Sequence, residues 1–457
     1  MRIIALKAVR IFPFAALFVI LWYIPSAQAV PTFSKKYSAP CTLCHSSWPK
    51  LNYVGFQFMI NGFQLPDSQD GSKAGKVSPT FDINLDTGDA NPPFSLRFDG
   101  GLGLSNTPEG PGGQEATGIG CCTNGSTVEL YAAGTVARNA GYYLSYPLGD
   151  QEAFQPEQAF IRFANIFGPG YMGFDLGIFR TSGFDAIVPH REWFGDPNPA
   201  YYGTSSLGGR DKGVTSAYVD TGIRLFGNPN YGIFSYDVVY VTGARTSQAR
   251  NNAGGSGFGA MGRMDYTNYS ASLRVWNAET GEVTFNRSSG GFFTSNMDGD
   301  GDFTGNPVSP DEKTMDVIFS FKYEREKWQL EFVYDKNTFG FDQRTDLLGN
   351  TYSSETITRN GYSAAAIFRP NSTVALGVRY GTSKVGAYVE SYNGTTSTVP
   401  ESSAGQLDFK FEIMPVQNAR LGLQLSFDIS NQQARLDEDG NKYGLQNKLV
   451  LLWDWAI

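Results

Sequence analysis

The sequence predicts an all-β chain: a transmembrane antiparallel β-barrel of about 16 strands behind a small N-terminal segment of different character. Three observations carry that expectation. Apolar and polar residues alternate over stretches of about ten positions. Long and short connections alternate between those stretches, as they do in outer-membrane barrels. The chain also opens on a secretory signal, so the mature protein is expected outside the cytoplasm.

Residues 1–29 carry that signal: a basic start (Arg2, Lys7, Arg10), an apolar run from Ile11 to Ile24, and the small-residue cleavage site Ala27-Gln28-Ala29, with Val30 as the expected mature N-terminus. The apolar run of about 14 residues is short against the roughly 20 needed to span a bilayer as a helix. Its removal takes three positive charges, moving the formal net charge from −8 to −11. An acidic surface argues against nucleic acid and anionic membrane surfaces as partners and favours cations. About 430 mature residues would ordinarily divide into two or three soluble domains, yet no linker interrupts the even spread of Gly, Tyr and Phe, which fits one large β structure.

Residues 30–90 form the first mature segment, and its signature is Cys41-Thr42-Leu43-Cys44-His45. Two thiols two residues apart can form thioethers to the vinyl groups of one haem, and the histidine directly after the second thiol is placed to be the proximal iron ligand. A dithiol redox pair would expect a βαβ context and has no need of His45. The segment is therefore expected to be a monohaem cytochrome c unit carrying one covalent haem c, on the periplasmic side of the barrel or in its pore.

Residues 91–457 carry the alternation. Phe94, Leu96, Phe98, Leu102 and Leu104 share one face, while Ser95, Arg97, Asp99, Gly101 and Gly103 share the other. Met315, Val317, Phe319, Phe321 and Tyr323 oppose Asp316, Ser320 and Lys322, and the pattern resumes after a tight turn with Trp328, Leu330, Phe332 and Tyr334. It recurs to the last residues, Leu449, Leu451, Trp453, Trp455 and Ile457. Short turns are expected near 138–140, 167–170, 227–230, 277–280, 324–327, 369–372 and 414–419. Longer connections are expected between them, among them 105–126, 181–213, 243–266, 290–312 and 382–403. Both barrel ends then lie on the periplasmic side. A soluble sandwich or propeller also alternates, but its loops do not alternate long with short and its strands are seldom so aromatic on one face.

From Pro31 through Phe63, the haem motif is followed by Ser46-Ser47-Trp48-Pro49-Lys50-Leu51-Asn52 and a Gly55-Phe56 to Gly62-Phe63 stretch. This resembles the fused outer-membrane monohaem cytochrome–porins of iron-oxidising bacteria, and so does the order of signal peptide, one CxxCH and barrel. The specific likeness covers about 35 residues. It implies Cys41 and Cys44 for haem attachment and His45 for proximal ligation, with electrons passing from an external donor such as Fe(II) to a periplasmic cytochrome across the outer membrane of a Gram-negative bacterium.

The sixth iron position, whose ligand sets the potential, has two candidates. His190 is the single histidine besides His45 and lies in the longest external connection, the third, which in porins often folds into the lumen. Met59 is the local candidate in an apolar stretch, with packing in the core as its alternative role. Asn296, Asp298, Asp300, Gly301, Asp302 and Thr304 match the first half of a calcium loop, but Pro307 stands where the bidentate Glu belongs, so a solvated acidic loop competes with a Ca2+ site. Cys121 and Cys122 are adjacent in an external loop and do not have zinc or haem spacing.

Two functions stay open on the sequence. One is an electron conduit, oxidising Fe(II) or another donor, with an acidic lumen and loops expected to gather cations, or running outward to external acceptors. The other is a diffusion porin whose haem serves structure or sensing.

Overall fold

The computed structural model describes residues 33, 40–47, 50–64, 94–107, 116–121, 127–137, 139–148, 156–188, 193–194, 198, 200, 219–242, 253–284, 308–309, 312–345, 351–392, 395–399, 401–416, 419–429 and 447–456. Among the described residues before the barrel are a two-stranded hairpin, β1 (His45–Ser47) and β2 (Lys50–Leu51), and the helix α1 (Tyr53–Ile60).

The wall begins with β3 (Phe94–Thr107), β4 (Ala116–Cys121), β5 (Thr127–Ala137), β6 (Ala140–Leu148), β7 (Gln158–Ile166) and β8 (Met172–Arg180). It continues through β9 (Val219–Gly227), β10 (Phe234–Val241), β11 (Ala253–Tyr266), β12 (Tyr269–Thr284), β13 (Val308–Ser309) and β14 (Glu312–Arg325). Then follow β15 (Trp328–Thr345), β16 (Thr351–Phe368), β17 (Val374–Val385), β18 (Tyr388–Tyr392), β19 (Thr395–Val399), β20 (Ser402–Val416), β21 (Ala419–Asp428) and β22 (Asn447–Ala456). The barrel closes where β22 pairs with β3, Trp455 opposite Phe98. β4, β13, β18 and β19 extend the long-connection end, and direct pairing of β3 with β5, β12 with β14 and β17 with β20 leaves 16 staves in the wall, all antiparallel.

Alternation sets the two faces. Leu102, Leu104, Met315 and Phe332 are exposed on the outside, while Asp316, Ser320, Lys322 and Asp335 are buried on the inside. Closure gives every strand two neighbours, so the wall leaves no ladder edge for lipid to solvate. Aromatic side chains crowd the short-turn rim outside: Phe167, Tyr171, Phe234, Tyr266, Trp328 and Trp455 are all exposed there. Amphipathic rings at that level match the girdles of membrane barrels.

One stretch departs from the expected turn map. The residues read as a long connection up to Tyr266 contain β11, the turn falls at Thr267–Asn268, and Asn277–Thr280, expected to turn, run straight through β12. The reason is steric. Trp276 lays its indole across Gly257 and Gly259, where an added Cβ would stand 2.3 and 2.5 Å from ring atoms, and the glycines that make room for it erase the apolar half of the pattern. Hairpin strands also appear in the expected loops at 105–126 and 382–403.

The lumen is packed. Buried cations and carboxylates line it in equal numbers among the described residues, which corrects the expectation of an acidic lumen. Arg162 is bidentate to Asp175 at 2.6 and 2.7 Å, Arg274 bridges Asp185 and Asp237, and Arg359 meets Asp335. Each charge in these pairs has an opposite partner, the condition under which burial is tolerated. The chain's acidic excess therefore lies outside this lining.

Candidate functional site

The candidate site is built on one turn. Cys41–Leu43 form a 3-10 turn closed by the Cys44 N–H donating to the Cys41 carbonyl at 3.2 Å. In that geometry side chains three apart stack over one another, so the two thiols emerge on the same side. Both are half-buried, separate thiols. Burial first, and the neighbouring Cys41 second, hold the Cys44 thiol above its ordinary pKa. His45 leaves the turn in extended conformation and pairs with Leu51 across the hairpin. Two same-side thiols followed at once by a histidine whose backbone is held in the hairpin fit the covalent attachment of one haem c.

Asn52 ties this turn to the helix behind it. Its Nδ2 donates to the carbonyls of Leu43 at 3.0 Å and Thr42 at 3.3 Å, its backbone N–H donates to Cys44 O at 3.0 Å, and its Oδ1 accepts from Gly55 N at 2.9 Å as the N-cap of α1. Gly55 lies against the same Cys44 carbonyl, where a Cβ would stand 2.1 Å from the oxygen. Neither residue had a role in the sequence reading; Asn before an apolar helical run is the signal that marks a cap.

α1 enters the lumen from the short-turn mouth. Tyr53 and Val54 are exposed, whereas every residue from Gly55 to Ile60 is buried, as an apolar helix must be. Its end is sealed by Phe63 N–H donating to Phe58 O at 3.1 Å around Gly62 at φ +69°. The segment is anchored on both sides of the mouth. On one side Lys50 pairs with Glu331 of β15, and Lys322 Nζ of β14 donates to Leu51 O at 3.0 Å. On the other, Arg162 donates to Met59 O at 2.6 Å, Tyr231 and Asn165 both donate to Asn61 Oδ1 at 2.6 Å, and Gly141 meets the Gly62 carbonyl, where a Cβ would lie 2.5 Å away. Arg263 caps the Phe56 ring at 3.6 Å.

Described residues of the connection after β8 also pack inside the lumen. Phe184 packs edge-on against Phe56 and Phe226, and Asp185 holds Arg274. Further along, Trp193 lies on Gly377 of β17, donates its indole N–H to Glu412 at 2.9 Å, and receives Lys410 over its ring, while Phe194 stacks under Arg379. Ala200 reaches Gly361 of β16. The connection thus crosses from β8 to the opposite wall.

Met59 sits in the buried aromatic cluster with Phe56, Phe58 and Phe226. With Val188, Leu51, Lys50 and Arg263 it lines a cavity of about 30 Å³, room for water and not for a porphyrin. His190, Asp298, Asp300, Asp302 and Cys122 lie outside the described residues. Of the same connection as His190, Val188 borders the cavity beside Leu51, the register partner of His45, and Trp193 is buried in the lumen. Cys121 ends β4, its backbone opposite Leu102. Among the described residues no His, Cys, Asp and Glu cluster of metal-holding geometry occurs.

No family model and no curated protein matches this sequence. Solved structures do match the fold. The loop-L8 deletion of OmpT, an outer membrane protein of Vibrio cholerae, superposes with a TM-score of 0.51 at 11% identity, covering 80% of this chain and 98% of that one. The anion-selective porin from Comamonas acidovorans gives 0.51 at 14% identity over 80% and 99% of the two chains. Salmonella typhi OmpF in complex with daunomycin gives 0.50 at 9% identity over 80% and 97%. At such identities the likeness is one of fold: this chain has a porin-like barrel.

Proposed function

We propose that the protein is an outer-membrane c-type cytochrome fused to a porin-like barrel in a Gram-negative bacterium, moving electrons across that membrane. In this reading Cys41 and Cys44 hold one haem c, His45 is its proximal ligand, and the external donor is Fe(II), with a periplasmic cytochrome as acceptor. The bound haem would supply one-electron redox chemistry; the chain's own residues orient it and exclude water around it. The observation that carries the reading is the pair of thiols on one turn, held by Asn52 and Gly55 to a helix anchored across the barrel mouth. A soluble redox pair would have no use for that fixture.

His190 and Met59 are the two candidates for the distal ligand in this proposal, Met59 lying in the aromatic cluster. The acidic residues Asp298, Asp300 and Asp302 are kept as a candidate Ca2+ loop on the external side.

A diffusion porin with a structural or sensory haem is the second reading, favoured by the fold likeness. Two observations weigh against it: α1 and the β8–β9 connection occupy the lumen, and the charged lining is buried. The deciding experiment is stopped-flow spectroscopy of the haem-loaded, detergent-purified protein mixed with Fe(II). Appearance of the reduced c-type bands within seconds is the expected result. Reduction by dithionite alone would remove Fe(II) as donor and leave another redox partner or the porin reading.

A further inference from the structure

Outside the barrel, β15, β16 and β17 share a pattern that their lumenal faces do not explain. Outward-facing residues on β15 run Trp328, Leu330, Phe332 and Tyr334, then change to Lys336. On β16 the run from the short-turn rim is Phe368, Ala366, Ala364 and Tyr362, then Asn360; on β17 it is Leu376, Val378 and Tyr380, then Thr382 and Lys384. The apolar band therefore ends at Tyr334 and Tyr362 on β15 and β16, and one outward position earlier, at Tyr380, on β17, where Thr382 lies opposite Tyr362. The register places the polar residues in one row, Lys336 opposite Asn360 and Asn360 opposite Lys384.

Adjacent strands lie about 4.8 Å apart, so the two lysine stems stand about 10 Å apart with Asn360 between them. Tyr334 donates its hydroxyl to Asn360 Oδ1 at 3.2 Å, which leaves the Asn360 amide nitrogen as a donor. Lys336 is exposed, and Lys384 pairs with Glu401 at 2.7 Å with both side chains half exposed, a contact of the kind that contributes little and exchanges readily. Lysines at the edge of an apolar band are costly against hydrocarbon but favourable at the level of anionic headgroups.

We propose that this row binds the phosphate of a lipid in the leaflet at the long-connection end, with Lys336 and Lys384 as the charged clamps and Asn360 as the hydrogen-bond donor between them. The inference rests on the reading of the barrel as membrane-embedded. It names a site on the outer face of β15 to β17, outside the lumen.

The test uses the full-length haem-loaded protein in detergent, titrated with bisphosphorylated lipid A, with the fully dephosphorylated form, and with inorganic phosphate, followed by native mass spectrometry. The bisphosphorylated lipid is expected to bind preferentially, and K336Q/K384Q to lower its affinity about thirtyfold, the sum of two surface lysines, while Glu401→Gln keeps the preference. Equal affinity in K336Q/K384Q, equal binding of the dephosphorylated lipid, or displacement by millimolar inorganic phosphate would each overturn the proposal. Insertion of the same variants into phosphatidylethanolamine vesicles, read as heat-modifiable migration, tests the membrane reading separately.

Discussion

Gly55 abuts the Cys44 carbonyl so closely that a methyl group on its Cα would fall 2.1 Å from the oxygen. The contact joins the turn carrying the two thiols to the helix inside the barrel, with no side chain between them. Gly55→Ala must therefore push α1 and the turn apart. Covalent haem content is expected to fall by at least about half, since attachment needs both thiols on one side of the turn. Haem staining normalised to the folded barrel band measures this, and unchanged haem content would mean that the contact positions nothing.

Asn52 makes the second link. Asn52→Ala removes the cap of α1 and two donors to the thiol-bearing turn, and loss of an N-cap alone costs about 1 kcal/mol. Amide exchange in residues 41–60 is expected to quicken about five- to tenfold, with the barrel strands unaffected. Exchange rising equally in the wall would place Asn52 in global stability instead.

Glu331 neutralises Lys50 where both are about 6% exposed. Breaking such a pair from one side strands a buried charge, at a cost of about 3–5 kcal/mol, whereas removing both charges is close to neutral. Glu331→Gln should accordingly let trypsin reach the segment before β3, and the double variant K50M/E331Q should restore protection. Equal susceptibility of the single and double variants would show that shape, not charge, holds the segment.

The Cys44 thiol is raised by burial and by Cys41 beside it. In haem-free protein the thiolate is the alkylated form, so iodoacetamide should modify Cys44 more slowly than a cysteine peptide near pH 8. The sign follows from the folded chain binding the proton more tightly than the unfolded one: the thiol's contribution to stability is present below the unfolded pKa and fades as pH rises above about 9. A pH–rate profile of alkylation coinciding with that of the free peptide would contradict this.

The barrel was legible because lipid and lumen impose a period of two on every stave, and residues such as Leu102 and Asp316 fall on the predicted faces. β11 was not, since five glycines between Gly254 and Gly262 remove the apolar signal and the partner that explains them, Trp276, lies on the next strand. The Cys41–His45 motif, being five adjacent residues, stands out in the sequence without help from the fold. The contacts that hold it do not: Lys50 meets Glu331 across 281 positions of sequence, Gly62 meets Gly141, and no local pattern records such contacts. The same holds for the lumen, whose charges appear acidic in composition and prove paired in space.

Trp193 supplies the test that separates conduit from channel. It covers Gly377, donates to Glu412 and carries Lys410 on its ring, on the wall across from β8. Trp193→Ala removes a fully buried aromatic, a truncation costing about 3–5 kcal/mol in a packed interior, and leaves Lys410 and Glu412 facing a void that water can enter. Wild-type protein in liposomes is expected to admit small sugars slowly, and Trp193→Ala to admit them several times faster while keeping its haem and its reduction by Fe(II). Rapid swelling already in the wild type would return the protein to the diffusion porins, because a lumen open to sugars cannot also be the dry packing that Trp193, Phe194 and α1 make.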